Sequence, residues 1–98
     1  MRIISEKAIK EFWEIHPESE VSMKDWISKV RDADWKNFSD IRQTFNSTDV
    51  YKNCVVFNVG GNNYRIIGMI EYRKHLVFIR AILTHKEYDK NDWKPDCG

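Results

Sequence analysis

Between Thr84 and Asp89 the chain reads THKEYD, and His85, Lys86 and Tyr88 set a near-neutral acid/base, a cation and a phenol within four residues. A histidine, with an unperturbed pKa of about 6.5, takes or gives a proton at cellular pH. A phenol can stack on a base or share in proton transfer. Arg65 and Arg80, on two predicted strands, present forked donors that fit phosphate oxygens. The same residues have a plainer reading. Thr84-x-x-Glu87 fits a capping box, in which threonine and glutamate satisfy each other's backbone N–H groups, and His85 is then a helix-start residue without a chemical role. Arg65 and Arg80 lie among Ile, Met, Phe and Ala, where an arginine must reach the sheet edge or find a partner such as Glu71. Tyr64 and Tyr72 read as packing residues, and Asn58, Asn62 and Asn63 as turn chemistry.

The elements that position these groups follow from the whole chain. Its 98 residues make one domain, 1–98, with one core. Hydrophobic content of 42% with 13% aromatics excludes a disordered chain, and no apolar run has the length of a membrane span. The start, MRIISEKAIKEFWEIH, carries Glu6, Lys7, Lys10, Glu11 and Glu14 where a secretory signal needs continuous apolar residues, so a cytoplasmic protein is expected. A reducing compartment and the lack of CxxC spacing predict free thiols at Cys54 and Cys97, with one disulfide as the alternative. Net charge is +1, but residues 1–50 hold 8 Lys+Arg against 10 Asp+Glu, and residues 51–98 hold 8 against 5. An anion-binding face is therefore expected in the second half. Gly60-Gly61 lacks the spacing of a phosphate loop, and the histidines and cysteines show no ligand spacing, so neither a cofactor nor a metal is expected.

Arg2-Ile3-Ile4 predicts a short strand running into a helix over Ser5–Ile15, with Ser5 as N-cap, Ala8, Ile9, Phe12, Trp13 and Ile15 apolar, and Pro17 as the stop. Ser22 begins a second helix to about Asp32, with Met23, Trp26, Ile27 and Val30 on one face. A third, short helix is predicted in FSDIRQTF, capped by Ser39 or Asp40. From Tyr51 the period shortens to about 2, which predicts strands over Cys54–Val59, Tyr64–Tyr72 and Leu76–Leu83, joined by turns at Gly60–Asn63 and Arg73–His75. The order βααβββ gives an α+β domain of two layers, helices on one side of an antiparallel sheet.

Three blocks, Phe57-Asn58-x-Gly60-Gly61-Asn62-x-Tyr64-Arg65, Phe78-Ile79-Arg80 and Thr84-His85-x-Glu87-Tyr88-Asp89, resemble in order and spacing the HigB family of bacterial type II toxins, which is similar in fold to the RelE group of mRNA interferases. The resemblance implies a RelE-like fold and an endoribonuclease that cuts mRNA in the ribosomal A site. It also implies inhibition by a cognate helix-turn-helix antitoxin, HigA-like. Metal-free RNA cleavage turns the ribose 2′-OH on the adjacent phosphate, which needs a base, an acid and a charge stabiliser. The resemblance assigns these catalytic tasks to His85, Tyr88, Arg65 and Arg80, and RNA contacts to Lys86, Lys74 and Asn62. RelE-like enzymes carry several lysines on the catalytic face, whereas this half offers Lys74, Lys86 and Lys52. A catalytically inert module that associates with antitoxin or ribosome is the alternative.

Overall fold

The change of hydrophobic period near Tyr51 divides the protein into a helical layer and a sheet, and the computed structural model describes both over residues 1–98. Strand β1 (Arg2–Ile4) leads into α1 (Glu6–Ile15), a 3₁₀ turn at Pro17–Ser19 and α2 (Glu20–Asp32). Helix α3 (Phe38–Thr44) follows, then β2 (Asp49–Tyr51), β3 (Cys54–Val59), β4 (Tyr64–Glu71) and β5 (Leu76–Thr84). The chain closes with α4 (His85–Asp89) and a second 3₁₀ turn at Lys94–Cys97. No helix is long and apolar enough to cross a membrane.

The α+β class and the βααβββ order stand, with β2 and α4 added. The sheet order is β1-β5-β4-β3-β2, antiparallel throughout except that β1 runs parallel to β5 at one edge. Helix boundaries moved where local bonds outbid periodicity. Ser5 stands at the N-cap of α1 but its side chain makes no capping bond, and α2 begins two residues before Ser22 because Pro17–Ser19 is already wound into a 3₁₀ turn. Asn37, in extended conformation, caps α3 by accepting from Asp40 N at 3.0 Å, in place of Ser39 or Asp40. Ala8 and Ile15, expected on the apolar face of α1, are exposed, and Ile9 and Phe12 carry its burial.

Each face of the sheet has its own cover. The helices bury Val55, Phe57, Val59, Ile66 and Val77 on one face. Phe57 lies at the centre of this core with Trp26, Trp35 and Phe45 around its ring at centroid distances of 5.2, 6.0 and 5.7 Å. Burying one such ring contributes about 1.5–3 kcal/mol. The C-terminal segment covers the opposite face, packing Trp93 and Cys97 on Cys54, Val56 and Ile67, with Ala81 and Leu83 alongside. The change of face along β5 comes from a bulge. Ile67 pairs with Ala81 but Gly68 pairs with Ile79, so Arg80 is the extra residue.

Cys54 and Cys97, expected as free thiols, form a disulfide with Cα atoms 5.4 Å apart. At a sequence separation of 43, the spacing gives no sign of the pair. The chain brings them together by returning over the sheet, where Asn53 N donates to Cys97 O at 3.1 Å. Arg80 holds the same segment through two bonds to Asp96, at 2.6 and 2.8 Å. Those bonds hold the Asp96 carboxyl below its ordinary value.

Reduction of the disulfide should lower stability by roughly 4 kcal/mol for a loop of this length, measured as a drop in Tm with and without dithiothreitol. Acid should loosen the same segment. Because the folded Asp96 value is depressed, its contribution is present above the unfolded value of about 3.9 and is lost as pH falls through the lower folded one. The protection factor of the Asn53 amide should therefore fall below about pH 4 in the native chain and stay level in Asp96→Asn.

Candidate active site

The end of β5 passes into α4 through the capping box that the spacing predicted. Thr84 Oγ1 accepts from Glu87 N at 3.2 Å and Glu87 Oε1 accepts from Thr84 N at 2.9 Å. A helix starting there places positions 85, 88 and 89 on one side. His85 N also donates to Asn63 O at 2.9 Å, which ties α4 to the turn between β3 and β4.

That turn supplies the acceptor around which the cluster forms. Gly60 and Gly61 take φ of +63° and +67°, the left-handed region open to glycine. The Asn62 carbonyl then accepts from Arg65 Nη1 at 3.0 Å and lies 2.8 Å from His85 Nδ1. A carbonyl only accepts, so Nδ1 carries a proton. The other ring nitrogen, Nε2, is 3.1 Å from Asp89 Oδ2 across one helical turn. The imidazole is thus oriented from both ends while its side chain stays half exposed.

Arg65 sits at the centre with 6% of its surface exposed. Nη1 also donates to Tyr64 O at 3.1 Å, and Nη2 approaches His85 Nδ1 at 3.4 Å. Its guanidinium carbon lies 4.9 Å from the centroid of the Tyr88 ring. None of the chain's ion pairs includes Arg65. Glu71, named as its prospective partner, lies at the far end of β4 and accepts from Arg73 N at 3.3 Å instead. A buried cation held by carbonyls and a π face is electrostatically incomplete, and an anion arriving beside it completes it.

Tyr88 is half buried, with Trp93 stacked on it at 5.2 Å and 11° between planes. Trp93 Nε1 donates to Tyr88 O at 3.0 Å, so the C-terminal segment sets the position of the phenol. Lys86 is exposed on α4, next to His85 in the chain.

The structure therefore brings together His85, Tyr88, Arg65 and Asn62, while Lys86 makes no contact with them and adjoins His85 only along the chain. Asn62 takes part through its backbone carbonyl. Arg80 stands apart, with both guanidinium contacts committed to Asp96 from the bulge of β5. Lys74 lies in the turn at the other end of the β4–β5 hairpin, beyond the Glu71–Leu76 pair, which is itself seven residue steps from the Tyr64–Thr84 pair, roughly 23 Å at 3.3 Å per residue. Membership in the basic half of the chain says nothing about which end of a hairpin a residue occupies. Sequence reasoning gave no role to Asp89, although the four-residue interval from His85 on a capped helix signals the pair. Trp93 gave no such signal.

A sheet of this order with helices on one face and a cationic, imidazole-bearing cluster at the end of its central strands is that of a RelE-like α+β protein. The chain belongs to the HigB toxin family, described as the RelE-like toxic component of a toxin-antitoxin system, whose model matches residues 19–91. It is 32% identical over 92 residues to the mRNA interferase toxin HigB of Escherichia coli K12, covering 91% of this chain and 88% of that protein. The mRNA interferase HigB of Shigella flexneri matches to the same extent, and that of Escherichia coli O6:H1 is 29% identical over 93 residues, covering 92% of this chain and 90% of that protein. The matched region includes the whole cluster and stops short of Cys97.

Replacing Thr84 by alanine should remove one half of the capping box and cost on the order of 1 kcal/mol. The expected result is a lowered Tm with the cluster intact, read from an unchanged environment of the His85 ring by NMR.

Proposed function

We propose that this protein is the toxin of a toxin–antitoxin pair and an endoribonuclease that cuts mRNA in the ribosomal A site. It acts in the cytoplasm and is silenced by a helix-turn-helix antitoxin resembling HigA. The observation that carries the reading is the buried, carboxylate-free guanidinium of Arg65 beside the half-exposed imidazole of His85. The cytoplasmic placement rests on the substrate, since a disulfide by itself fits an oxidising compartment better.

In the reaction, the ribose 2′-oxygen bonds to the adjacent phosphorus, the P–O5′ bond breaks, one proton leaves the 2′-OH and one reaches the departing O5′. His85 Nε2, released from Asp89, exchanges a proton with the RNA, while Nδ1–H stays on the Asn62 carbonyl and fixes the ring. Asp89 is a positioning residue. Arg65 stabilises the charge that grows on the phosphate oxygens, and it does so best in a site closed to water. The Tyr88 phenol shares in proton transfer or stacks on the flanking base, and Lys86 contacts the backbone. Phosphate binding by Arg80 would compete with its pair to Asp96, so Arg80 enters this scheme only through an exchange of partners. The modest positive balance of the second half makes the ribosome the source of much of the RNA affinity, because autonomous binders rely on many phosphate contacts.

The inert binding module has one observation in its favour, the engagement of both His85 ring nitrogens within the chain. Expression of the chain alone should arrest growth, and co-expression of the antitoxin should relieve it. His85→Ala should stay folded, bind the antitoxin and lose about 10²- to 10⁴-fold in cleavage rate on programmed ribosomes. A full loss in Tyr88→Phe assigns the phenol to proton transfer, and retained activity assigns it to stacking. Parent-like cleavage by His85→Ala removes the catalytic role, and a native chain that binds ribosomes without cutting establishes the inert module.

A further inference from the structure

On the other side of the Gly60–Asn63 turn from His85, two lobes of one cleft open beside the end of β3, with volumes of about 340 and 280 Å³. Both are lined by Lys29, Phe45 and Asn58, and the larger one also by Asn46 and Asn62. Its position relative to the cluster is set by the ladder. Asn58 lies directly opposite Arg65, and Asn62 belongs to both places. We propose that this cleft holds a nucleobase of the RNA next to the phosphate bound at Arg65 and His85, and that it reads the identity of that base.

The proposal rests on the cleavage reading for the direction of the RNA, and its chemistry is carried by the walls. Phe45 is half buried against Trp26, Trp35 and Phe57, which fixes its ring. An unstacked base finds there an apolar surface prepared to receive it. The carboxamides of Asn46, Asn58 and Asn62 each offer donors and an acceptor to a base edge, the combination that distinguishes one base from another. Lys29, 3.0 Å from Asp25 and half exposed, supplies a cation at the rim for the next phosphate. Trp26 lines the smaller lobe and is 2% exposed, and its Nε1 is the buried side-chain polar atom left without a partner. Such a donor favours an acceptor in the wall of the cleft. The volume suits a single nucleotide, at the small end of ligand pockets.

Titration of the whole protein with each of the four ribonucleoside 5′-monophosphates, followed by backbone amide NMR shifts, tests this apart from cleavage. Shifts are expected at Lys29, Phe45 to Thr48 and Asn58, with dissociation constants that differ among the bases. Asn58→Ala should weaken the tightest of them about 3- to 10-fold, the value of one hydrogen bond. Shifts confined to Arg65 and His85, shifts of equal affinity for all four bases, or no shifts at all overturn the proposal, and the native chain alone decides this if the variant does not fold. A protein that cuts mRNA but shows no response in the cleft fails here alone. One that binds bases in the cleft but never cuts RNA leaves this inference standing and removes the cleavage reading.

Discussion

The Asn62 carbonyl is the point on which the functional end of the molecule depends. It accepts from Arg65 Nη1 and faces His85 Nδ1, at 3.0 and 2.8 Å, and so joins a strand, a turn and a helix through one oxygen. Its position follows from Gly60 and Gly61, whose positive φ values reverse the chain within four residues between Val59 and Tyr64. A Cβ at Gly60 would stand 3.2 Å from both Ser22 Oγ and Tyr64 Cδ2, so the turn is also pressed against α2. Side-chain replacement cannot remove a carbonyl, and the cluster is therefore built on an acceptor that sequence variation reaches only through backbone geometry.

The two covers of the sheet serve different purposes. The aromatic core under the helices holds the strands in register, and that register places Arg65 opposite Asn58 and Leu83. The C-terminal segment contributes less apolar area and compensates with the disulfide and the Arg80–Asp96 pair. Through Trp93 it sets the Tyr88 ring, so a covalent link remote from the cluster contributes to the geometry of the site. The bulge at Arg80 makes both covers possible on a single strand, because one extra residue moves Ala81 and Leu83 to the C-terminal side.

An arginine that is nearly fully buried without a carboxylate is a poor device for stability. Burial of a cation costs several kcal/mol unless its donors and charge are matched. Carbonyls of Asn62 and Tyr64 accept from Nη1, and no carboxylate of the chain offsets the charge. The HigB toxins are a family whose relatives carry the name mRNA interferase, and in the proposed reaction the missing charge is that of a phosphodiester.

The chain's residues by themselves determined the α+β class, the hairpin turn at Gly60–Asn63, the three long strands and the capping box at Thr84–Glu87. These rest on periodicity, on the conformational freedom of glycine and on bonds between residues three apart, all of which are local. His85, Arg65 and Tyr88 were legible as candidates for the same reason, since residue type and adjacency to a strand end are written in the chain. The partners of these residues were settled only by tertiary structure. Asn62 meets His85 across 23 residues, Cys54 meets Cys97 across 43, and Lys74 and Arg80 leave the cluster because a hairpin has two ends and a bulge can change the direction of a side chain. Such contacts depend on register and on how the last ten residues cross the sheet, and a one-residue change in either would alter them without altering a single local signal.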